Sequence, residues 1–405
     1  DPATHRKVEM DVIIPQLPGQ NGNIFTSIRA SAMSKKIPSP FEVAWTFAKY
    51  RIALPLRKKP FLPKLLVLLV TNRCNAQCVM CGIWENQALY PQSSELTLEQ
   101  YDQVLSDRLF GDIESINING GELSLRSDLP QIIQVAVKRL PKLRAVGMTS
   151  NGILTERLVR QVKQVKQICD DHKIPFSVTI SLHGLAETDD KVFGIPGVFE
   201  KQIKTLDALQ AMAKESYFHI GLACVINKEN IDNLPALQDW AKKRNLEIGF
   251  MLVEMRERFN NLEKGDQFQL PEGDKAKIAG FLRQLSRAKS IFNPYAYVYD
   301  YMADLLQYNA VRKISCEYSL GGVILGAQGE LYYCPHSDDI GSSKERPAYD
   351  IFYDPKNLEY RDSALIHRQC LHCPPRHIGR LDMRADIFKY LRFVLFPKRE
   401  KRSQE

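Results

Sequence analysis

The sequence predicts an α/β fold in which parallel strands alternate with helices, as an open sheet or an open barrel. Three observations carry this prediction. Short apolar runs recur along the chain, segments with helical periodicity lie between them, and the length allows a large core. The chain has 405 residues, of which 44% are apolar and 25% charged, as in ordinary folded proteins. The longest apolar run, at 65–70, is far shorter than the roughly 20 residues of a membrane-spanning helix.

Six apolar runs carry the strand prediction. They lie at residues 65–70, 113–119, 143–149, 176–182, 220–226 and 248–253. Segments with a 3.6-residue apolar period lie between them, at 97–108, 129–140, 155–169, 198–214 and 232–244. Thr97 and Gln100 form a capping box at the start of the first segment. Strands that alternate with helices imply parallel βαβ units, which gather chemistry at the carboxyl ends of the strands.

The pattern changes after residue 254. Residues 255–272 are polar and indicate a linker, and helical periodicity follows at 272–289 and 294–312. Residues 321–334 indicate a β-hairpin with its turn near 327–329, and the stretch from there to Cys373 has little periodicity, which is typical of a loop region held by metal. The predicted domains are an N-terminal extension (1–63), the βα domain (64–254), a linker with helices (255–312), a metal-binding domain (313–375) and a basic helix (376–405).

The formal net charge is +8, but the positive charge is concentrated at the two ends. Residues 1–70 hold eleven Lys and Arg against four Asp and Glu, and residues 376–405 hold nine against four. The part between them is acidic overall. It contains no nucleic-acid motif and no basic stretch interleaved with aromatic residues, which argues against a nucleic-acid partner.

Nine cysteines carry the most specific signal. They stand at positions 74, 78, 81, 169, 224, 316, 334, 370 and 373. An odd number of cysteines in close clusters fits metal ligation better than disulfide bonds. Because free thiols persist in reducing compartments, the pattern predicts a cytoplasmic protein.

The first cysteine set follows the first predicted strand as CxxxCxxC, at Cys74, Cys78 and Cys81. Three thiolates on one short loop can hold three irons of a [4Fe–4S] cluster. With no fourth ligand nearby, one iron keeps an open position, which marks a catalytic rather than a structural centre. The alternatives are a zinc site completed by a distant residue, or buried cysteines that meet by chance.

This motif, its place after strand 1 and the βα array resemble the radical S-adenosylmethionine (SAM) enzymes over about residues 64–254. The resemblance implies a partial (β/α)6 TIM-like barrel in which the three cysteines hold a [4Fe–4S] cluster. The open iron is then expected to bind the amino and carboxylate groups of SAM. The resemblance also implies reductive cleavage of SAM to a 5′-deoxyadenosyl radical, which abstracts a hydrogen atom from the substrate.

The end of strand 2 agrees with the family pattern. Gly120, Gly121 and Glu122 stand where the family has its GGE motif, although Leu123 replaces the usual proline. Two glycines let the backbone approach a ligand closely. The carboxylate of Glu122 can hold the ammonium group of SAM through a charge-assisted hydrogen bond.

Three more strand ends supply candidate nucleoside contacts. Asn151 follows strand 3, Ser181 and His183 follow strand 4, and Asn227 follows strand 5, where the backbone is expected to meet adenine. His183 stands where relatives often carry Asp. Each of these segments can also be an ordinary polar turn.

The second cysteine set comprises Cys316, Cys334, Cys370 and Cys373. Gly329 precedes Cys334 on the predicted hairpin, and this pattern resembles the twitch module, a shortened form of the SPASM extension of radical SAM enzymes. The resemblance implies one auxiliary [4Fe–4S] cluster with all four positions filled, which suits electron transfer better than substrate binding. A structural tetrathiolate zinc site is the alternative.

Two cysteines and two charged residues remain. Cys169 ends a predicted helix and is expected to be a core residue. Cys224 lies in strand 5, where alternate side chains face the barrel interior, so it can donate a hydrogen atom to a substrate radical. Glu254 and Arg256 follow strand 6 and are either substrate contacts or solvated loop charges.

The composition of the two ends of the chain indicates what kind of substrate to expect. Residues 41–54 and 387–396 form apolar, aromatic helices, and basic residues follow them at 57–59 and 398–402. An apolar helix with a basic flank is typical of contact with anionic lipid, although both helices can equally pack on the barrel. Residues 15–39 are irregular, so the N-terminal extension does not resemble a leader-peptide-binding domain.

Together these features predict a radical SAM oxidoreductase with a SAM-binding and an auxiliary [4Fe–4S] cluster. We expect a flavodoxin- or ferredoxin-like electron donor and a small-molecule or lipid-linked substrate in preference to a peptide. The enzyme is expected in the cytoplasm, with contact to the inner face of the membrane. One alternative is a ribosomal-peptide maturase or an epimerase that uses Cys224. The other is a non-enzymatic iron–sulfur electron-transfer protein, which needs no nucleoside pocket.

Overall fold

The computed structural model describes residues 39–57, 59–213, 218–256, 259–265, 270–289, 293–312, 314–374 and 384–395. The irregular segment predicted before residue 39, the basic run predicted at 398–402 and Lys58 of the first basic run lie outside the described residues.

A sheet of eight strands forms the centre of the described chain, in the order β6-β5-β4-β3-β2-β1-β7-β8. The first six strands are parallel neighbours, which confirms the predicted α/β class and the partial barrel. They are β1 (Leu65–Leu69), β2 (Ser115–Asn119), β3 (Ala145–Ser150), β4 (Phe176–Ser181), β5 (Phe218–Ile226) and β6 (Glu247–Leu252). Their carboxyl ends meet at one edge.

Helices cover the outer face of this sheet, and each helical segment that the sequence predicts is present. The α-helices are α1 (Pro40–Ala48), α2 (Leu54–Arg57), α3 (Leu98–Leu105), α4 (Leu129–Arg139), α5 (Thr155–Asp171), α6 (Glu187–Phe193), α7 (Val198–Met212), α8 (Leu234–Lys243), α9 (Glu272–Ala288), α10 (Pro294–Tyr308), α11 (Glu317–Gly321), α12 (Ala348–Phe352), α13 (Pro355–Tyr360) and α14 (Ile387–Leu395). A π-helical turn at Lys49–Ala53 joins α1 to α2.

Side chains of the strands alternate between two differently packed faces. In β5, Leu222 and Cys224 belong to the main core between sheet and helices, whereas Val225 packs with Met80 and Val192 near the cysteine loop. In β1, residue 66 and residue 68 face the helices, and the odd-numbered residues contact the C-terminal part of the chain. The odd-numbered face of β5 is therefore the barrel interior.

The predicted hairpin is present and extends the barrel sheet. Strand β7 (Gly322–Leu325) runs parallel to β1, and β8 (Leu331–Tyr332) returns antiparallel to β7. The stretch after it is not the loop region that the sequence indicated, because it contains α12 and α13. Both helices have at most six residues, too few for a helical period to stand out in the sequence.

The described part of the predicted linker at 255–272 packs against the first cysteine loop. The amide of Gly82 donates to the carbonyl oxygen of Phe259 at 2.6 Å. The amide Nδ2 of Asn261 donates to the carbonyl oxygen of Met80 at 2.8 Å, and Asn261 is fully buried. The linker prediction was wrong here, because the side chain of Asn261 and the backbone carbonyl of Phe259 bond to the backbone of the loop instead of to water.

None of the helices in the described ranges combines the length and the apolar character needed to cross a bilayer.

Candidate functional site

The three cysteines of the CxxxCxxC loop open onto one cleft at the carboxyl edge of the barrel. The cleft has a volume of about 680 Å³. Ring systems of Trp84, Phe193 and Phe259 contribute to its walls. Most of the strand-end residues that the sequence singled out line it as well, namely Gly120, Gly121, Asn151, Ser181 and His183.

Backbone hydrogen bonds from helix α6 hold the cysteine loop in place. The amide of Gln77 donates to the carbonyl of Phe193 at 3.0 Å, and the amide of Val79 donates to that of Val192 at 2.9 Å. Gly194 follows with a φ of +69°, and a Cβ there would lie 2.4 Å from the carbonyl oxygen of Gln77. Helix α6 was not predicted, because its seven residues are too few for a helical period to stand out.

A buried carboxylate organises the start of the same loop. Glu95 is 6% exposed and accepts hydrogen bonds from Thr71, from Arg73 at 3.2 Å and from Arg126 at 3.1 Å. Arg126 also donates to the carbonyl of Val70 at the end of β1. Because a buried charge is tolerated only when it is paired and hydrogen-bonded, this network fixes where the cysteine loop begins.

Gly120 and Gly121 let the turn after β2 pack closely on the backbone of the segment after β1. The amide of Gly121 donates to the carbonyl of Thr71 at 2.7 Å. A Cβ on Gly120 would lie 2.4 Å from the carbonyl oxygen of Thr71, and one on Gly121 would lie 2.2 Å from that of Arg73. Both positions therefore require glycine, because the turn packs directly on the backbone at the start of the cysteine loop. The two glycines also line the cleft.

The carboxylate of Glu122 lies behind the cleft and is not among its lining residues. It accepts from the Ser150 hydroxyl at 2.7 Å and from the amides of Asn151 at 2.8 Å and Ser124 at 3.0 Å. It also lies close enough to Cys74 to raise the pKa of that thiol in addition to the larger effect of burial. A carboxylate has about four lone-pair directions, so these three bonds do not exhaust its capacity to accept.

Asn151, Ser181 and His183 reach the cleft in different ways. The Asn151 amide donates to the side chain of Asn75 at 2.8 Å, which links strand 3 to the cysteine loop. The ring of His183 stacks on Phe193 with centroids 4.9 Å apart. Its Nδ1 accepts from the amide of Val225 at 3.1 Å, and burial lowers its pKa to about 3, so the ring is neutral with its proton on Nε2.

The structure does not bring Asn227 or Cys224 to the cleft. The Asn227 side chain is used within its own turn, where it donates to the carbonyl of Val225 and accepts from the amide of Glu229. Cys224 faces the helices, with its sulfur 3.6 Å from Nδ2 of Asn230. The expectation that Cys224 faces the barrel interior was wrong, because the alternation in β5 places the odd-numbered residues there. Cys169 is a core residue of α5, as predicted.

The second cysteine set shares a cleft of about 620 Å³. Cys316, Cys334, Cys370 and Cys373 all line it, and the proximity of Cys316 raises the thiol pKa of each of the other three. Burial is the larger cause and raises the pKa of Cys334 to about 12 and that of Cys373 to about 11. Thiols in such surroundings ionise when a metal replaces the proton.

Within the part of the chain that the structure describes, no group of three or more His, Cys, Asp or Glu side chains is arranged to hold a metal ion. A four-iron cluster binds each thiolate through a different iron, so its ligands must face one cavity but need not meet at one point. Both cysteine sets meet that requirement.

Three arginines surround the second cleft. Arg256, Arg312 and Arg361 line it beside the four thiols. Arg312 donates to the carbonyl of Cys373 at 3.4 Å, and Arg361 donates to the carbonyl of Ser319 at 2.6 Å. Such fixed cations stabilise an anionic group in this cleft.

A buried ion network joins the two cysteine sets. Glu254 pairs with Arg256 and lies 3.0 Å from Nε2 of His336, which follows Cys334 by two residues. Asn261 accepts from the amide of Arg256 and donates to Met80 in the first loop. Glu254 and Arg256 are thus buried members of this network and not solvated charges.

The interior of the barrel below the first cleft is polar. Asn117, Gly147, Ser177 and His219 are in-register neighbours on β2 to β5, and Glu247 lies on β6 opposite Gly221. The hydroxyl of Ser177, Nε2 of His219 and Oε2 of Glu247 are buried without a hydrogen-bond partner in the described structure. Burial raises the pKa of Glu247 to about 8. Sequence reasoning missed this set, although the alternation of polar and apolar residues in β2 and β4 was a usable signal.

The fold and the site define a partial-barrel enzyme with a cysteine loop that fits an iron–sulfur cluster. Residues 68–241 match the family model of the radical SAM superfamily, which identifies a radical SAM domain in this part of the chain.

Relatives with named functions differ among themselves. The chain is 29% identical over 205 residues to Fe-coproporphyrin III synthase of Methanosarcina barkeri, an alignment that covers 51% of this chain and 44% of the relative. It is 27% identical over 195 residues to the sporulation killing factor maturation protein SkfB of Bacillus subtilis, covering 48% and 43%. The chain thus spans less than half the length of these relatives.

Solved structures show the same fold. SuiB of Streptococcus suis bound to S-adenosylmethionine superimposes with a TM-score of 0.52 at 14% identity, covering 86% of this chain and 82% of that one. Native anSMEcpe with bound AdoMet and a peptide gives a TM-score of 0.51 at 14% identity, covering 83% and 100%.

Proposed function

We propose that this protein cleaves SAM reductively and uses the resulting radical to remove a hydrogen atom from an unactivated carbon of its substrate. The observation that carries the proposal is the first cleft, where Cys74, Cys78 and Cys81 share one cavity with the ends of β2, β3 and β4. The cleft holds one imidazole, His183, whose Nδ1 already accepts a hydrogen bond. The three cysteine thiols are therefore the side chains of this cleft best suited to bind a metal cluster.

The residues of the cleft fit a [4Fe–4S] cluster and SAM. Three thiolates would hold three irons and leave the fourth to the amino and carboxylate groups of SAM. When bound, the cluster and SAM together supply a 5′-deoxyadenosyl radical that takes a hydrogen atom from the substrate.

Four residues of the chain would orient SAM. Glu122 keeps an acceptor position beside Cys74 for the ammonium group. Asn151 and Ser181 offer polar groups at the ends of β3 and β4, in reach of the ribose. His183 is neutral and can donate from Nε2 without adding a charge. The aromatic walls at Trp84, Phe193 and Phe259 exclude water from the reacting atoms.

The polar barrel interior supports a small polar molecule, or the polar part of a lipid-linked molecule, as substrate. Buried polar atoms without partners cost free energy unless a ligand satisfies them. Ser177, His219 and Glu247 together offer a hydroxyl, an imidazole and a carboxyl group to such a ligand. This is why we prefer a small-molecule or lipid-linked substrate to a peptide.

The second cysteine set would hold an auxiliary [4Fe–4S] cluster that accepts or relays an electron. Four thiolates fill all cluster positions, so the substrate would not bind there without displacing a ligand. The three arginines around the cleft favour the more negative, reduced state of a cluster. Net oxidation of the substrate follows as the expected outcome, with a flavodoxin- or ferredoxin-like protein as the donor of the initiating electron.

A second candidate is the maturation of a ribosomal peptide. Its support is the similarity to SkfB, together with the fold shared with SuiB, for which a structure with its precursor peptide is known. Epimerisation through Cys224 loses its support because the thiol faces away from the barrel interior.

The proposal is tested by product analysis under anaerobic conditions. The reconstituted protein is reduced and incubated with SAM, and 5′-deoxyadenosine is measured beside a Cys78→Ala variant and a Cys169→Ala control. We expect product from the wild type and from Cys169→Ala but none from Cys78→Ala. Product from all three proteins, or from none of them in the presence of polar and lipid-linked candidate substrates, would contradict the proposal.

A further inference from the structure

Helices α1, α2 and α14 present a shared apolar surface to the outside. We call it the terminal-helix face; it consists of Phe41, Trp45, Ile52, Leu56, Phe388, Leu391 and Leu395. Trp45 is 63% and Phe388 is 65% exposed. In the described chain these residues outnumber all the other large hydrophobic side chains that are exposed. Exposed apolar residues that gather in one patch mark an interaction surface, whereas scattered ones do not.

The spacing of these residues is that of two interfacial helices. Phe41, Trp45, Ile52 and Leu56 follow one another at intervals of four, seven and four along a continuous helical segment. The residues of α14 follow at intervals of three and four. These residues are exposed, whereas Tyr50 and Tyr390 on the same two helical segments are buried and pack on the protein.

Contacts between the helices fix the face in one orientation. The rings of Phe47 and Phe388 meet edge to face at 5.0 Å, and Arg51 forms an ion pair with Asp386. Arg51 also donates to the hydroxyl of Ser315 at 2.6 Å. Since Ser315 directly precedes Cys316, the face is held next to the second cysteine set.

Basic side chains flank the apolar stripes. Arg57 and Lys59 are exposed at the end of α2, and Lys389 and Arg392 are exposed on α14. The terminal regions that contain these helices carry the positive charge of the chain, with eleven Lys and Arg against four acidic residues in 1–70 and nine against four in 376–405. Glu42, in the first turn of α1, is an acidic residue of the first of these terminal regions.

We propose that the terminal-helix face docks on an anionic lipid bilayer, with α1 and α14 lying in the plane of the interface. Apolar and aromatic side chains enter the headgroup region, and the flanking Lys and Arg pair with lipid phosphates. A bilayer fits better than a second copy of the chain, because two faces of this charge would repel each other. Docking holds the barrel at the surface from which a lipid-linked substrate would be drawn.

Vesicle binding of the full-length protein tests the proposal. The protein is sedimented with vesicles of phosphatidylcholine alone and with vesicles that contain about 30% phosphatidylglycerol, at low and high salt. We expect at least about tenfold tighter binding to the anionic vesicles, weakened by salt because surface charge is screened. We also expect a blue shift of tryptophan fluorescence that is absent in Trp45→Phe.

Matched variants separate this face from other exposed side chains. Trp45→Ser with Phe388→Ser removes apolar contact and is expected to reduce binding about tenfold or more, while Tyr308→Ser with Val311→Ser is a control on exposed hydrophobic residues elsewhere. Arg57→Gln with Arg392→Gln should lower the preference for anionic lipid, and Arg160→Gln should not. The proposal would be overturned if the variants bound vesicles as tightly as the controls. It would also be overturned if the substitutions on the terminal-helix face changed only the oligomeric state of the protein. Cleavage of SAM is measured separately, so either proposal can fail alone.

Discussion

Glu122 acts on two parts of the first site at once. Its carboxylate accepts from Ser124, Ser150 and Asn151, and these bonds hold the end of β3 against the turn after β2. The same group has an acceptor position left beside Cys74. Its loss therefore removes both a backbone anchor and the proposed ligand for the ammonium group.

Glu122→Ala is expected to lower the rate of 5′-deoxyadenosine formation by about tenfold to a hundredfold, since a hydrogen bond to a charged group contributes roughly 1.5–3 kcal/mol. Iron content should stay unchanged because all cysteines remain. Product and iron are measured side by side with Glu156→Ala, an exposed glutamate on α5. An unchanged rate in Glu122→Ala would show that this residue does not serve SAM.

Glu247 gives a pH-dependent contribution to stability. Burial raises its pKa in the folded state from 4.5 to about 8, with nearby Lys289 opposing the shift. Between these values the folded protein holds a proton that the unfolded chain has lost. Stability from this group is therefore fully present below about pH 4.5 and lost as the pH rises through about 8.

Glu247→Gln removes this titration, so the variant should gain stability relative to wild type as the pH rises from about 5.5 to about 8.5. The readout is the difference between the urea midpoints of variant and wild type at the two pH values. A difference that does not change with pH would mean that the carboxyl group is solvated in the folded protein.

For single residues, the sequence predicted which cysteines are grouped but not which face of its strand Cys224 occupies. Both cysteine sets are grouped: one short loop carries the first set, whereas the fold brings the second set together from three separate segments of the chain. Cys224 was misplaced because a one-residue error in alternation moves a side chain to the other face of a sheet. Ser177, His219 and Glu247 come from three strands, and only the folded register makes these strand positions neighbours.

Among the structural elements, the turn after β2 is the most tightly constrained. Gly121 lies against the carbonyl of Arg73, and its amide bonds to Thr71. The cysteine loop and the end of β2 therefore form one packed unit, which α6 closes from the other side. No side chain larger than hydrogen fits at this position without moving the backbone.

Gly121→Ala is expected to destabilise the protein by about 1–3 kcal/mol, the usual cost of overpacking, and to lower iron occupancy at the first site. Gly280→Ala is the control, because Gly280 lies on the exposed face of α9 with nothing near its Cβ, and there alanine should stabilise the helix by about 1 kcal/mol. Thermal midpoints and iron counts measure both effects. Equal midpoints for the two variants would show that the turn can open without cost.

Strands and long helices were predictable because their apolar periods extend over many residues. Helices α6, α12 and α13 were not, since each has only one or two turns. The segment after β6 was misread as a linker for a different reason. Its polar residues bond to the cysteine loop, and composition alone does not distinguish such bonds from contact with water.

On the scale of the whole molecule, two cysteine sets lie on one continuous sheet. Strand β7 pairs with β1, whose carboxyl end begins the first cysteine loop and whose inner side chains contact Cys316 and Cys334. The network of Glu254, Arg256 and Asn261 connects the sets on the other side. The arrangement suits an electron path between two clusters of different roles.

In the proposed function, the first cysteine set leaves one iron of its cluster open to SAM, and the second set leaves none. The most direct test is electron paramagnetic resonance of two reduced, anaerobically reconstituted variants before and after addition of SAM. One variant replaces Cys316, Cys334, Cys370 and Cys373 by alanine, and the other replaces Cys74, Cys78 and Cys81. We predict about four irons in each variant, and a spectrum that changes with SAM only where the first set is intact. A SAM-dependent change in the second variant, or none in the first, would show that SAM does not bind at the first cysteine set.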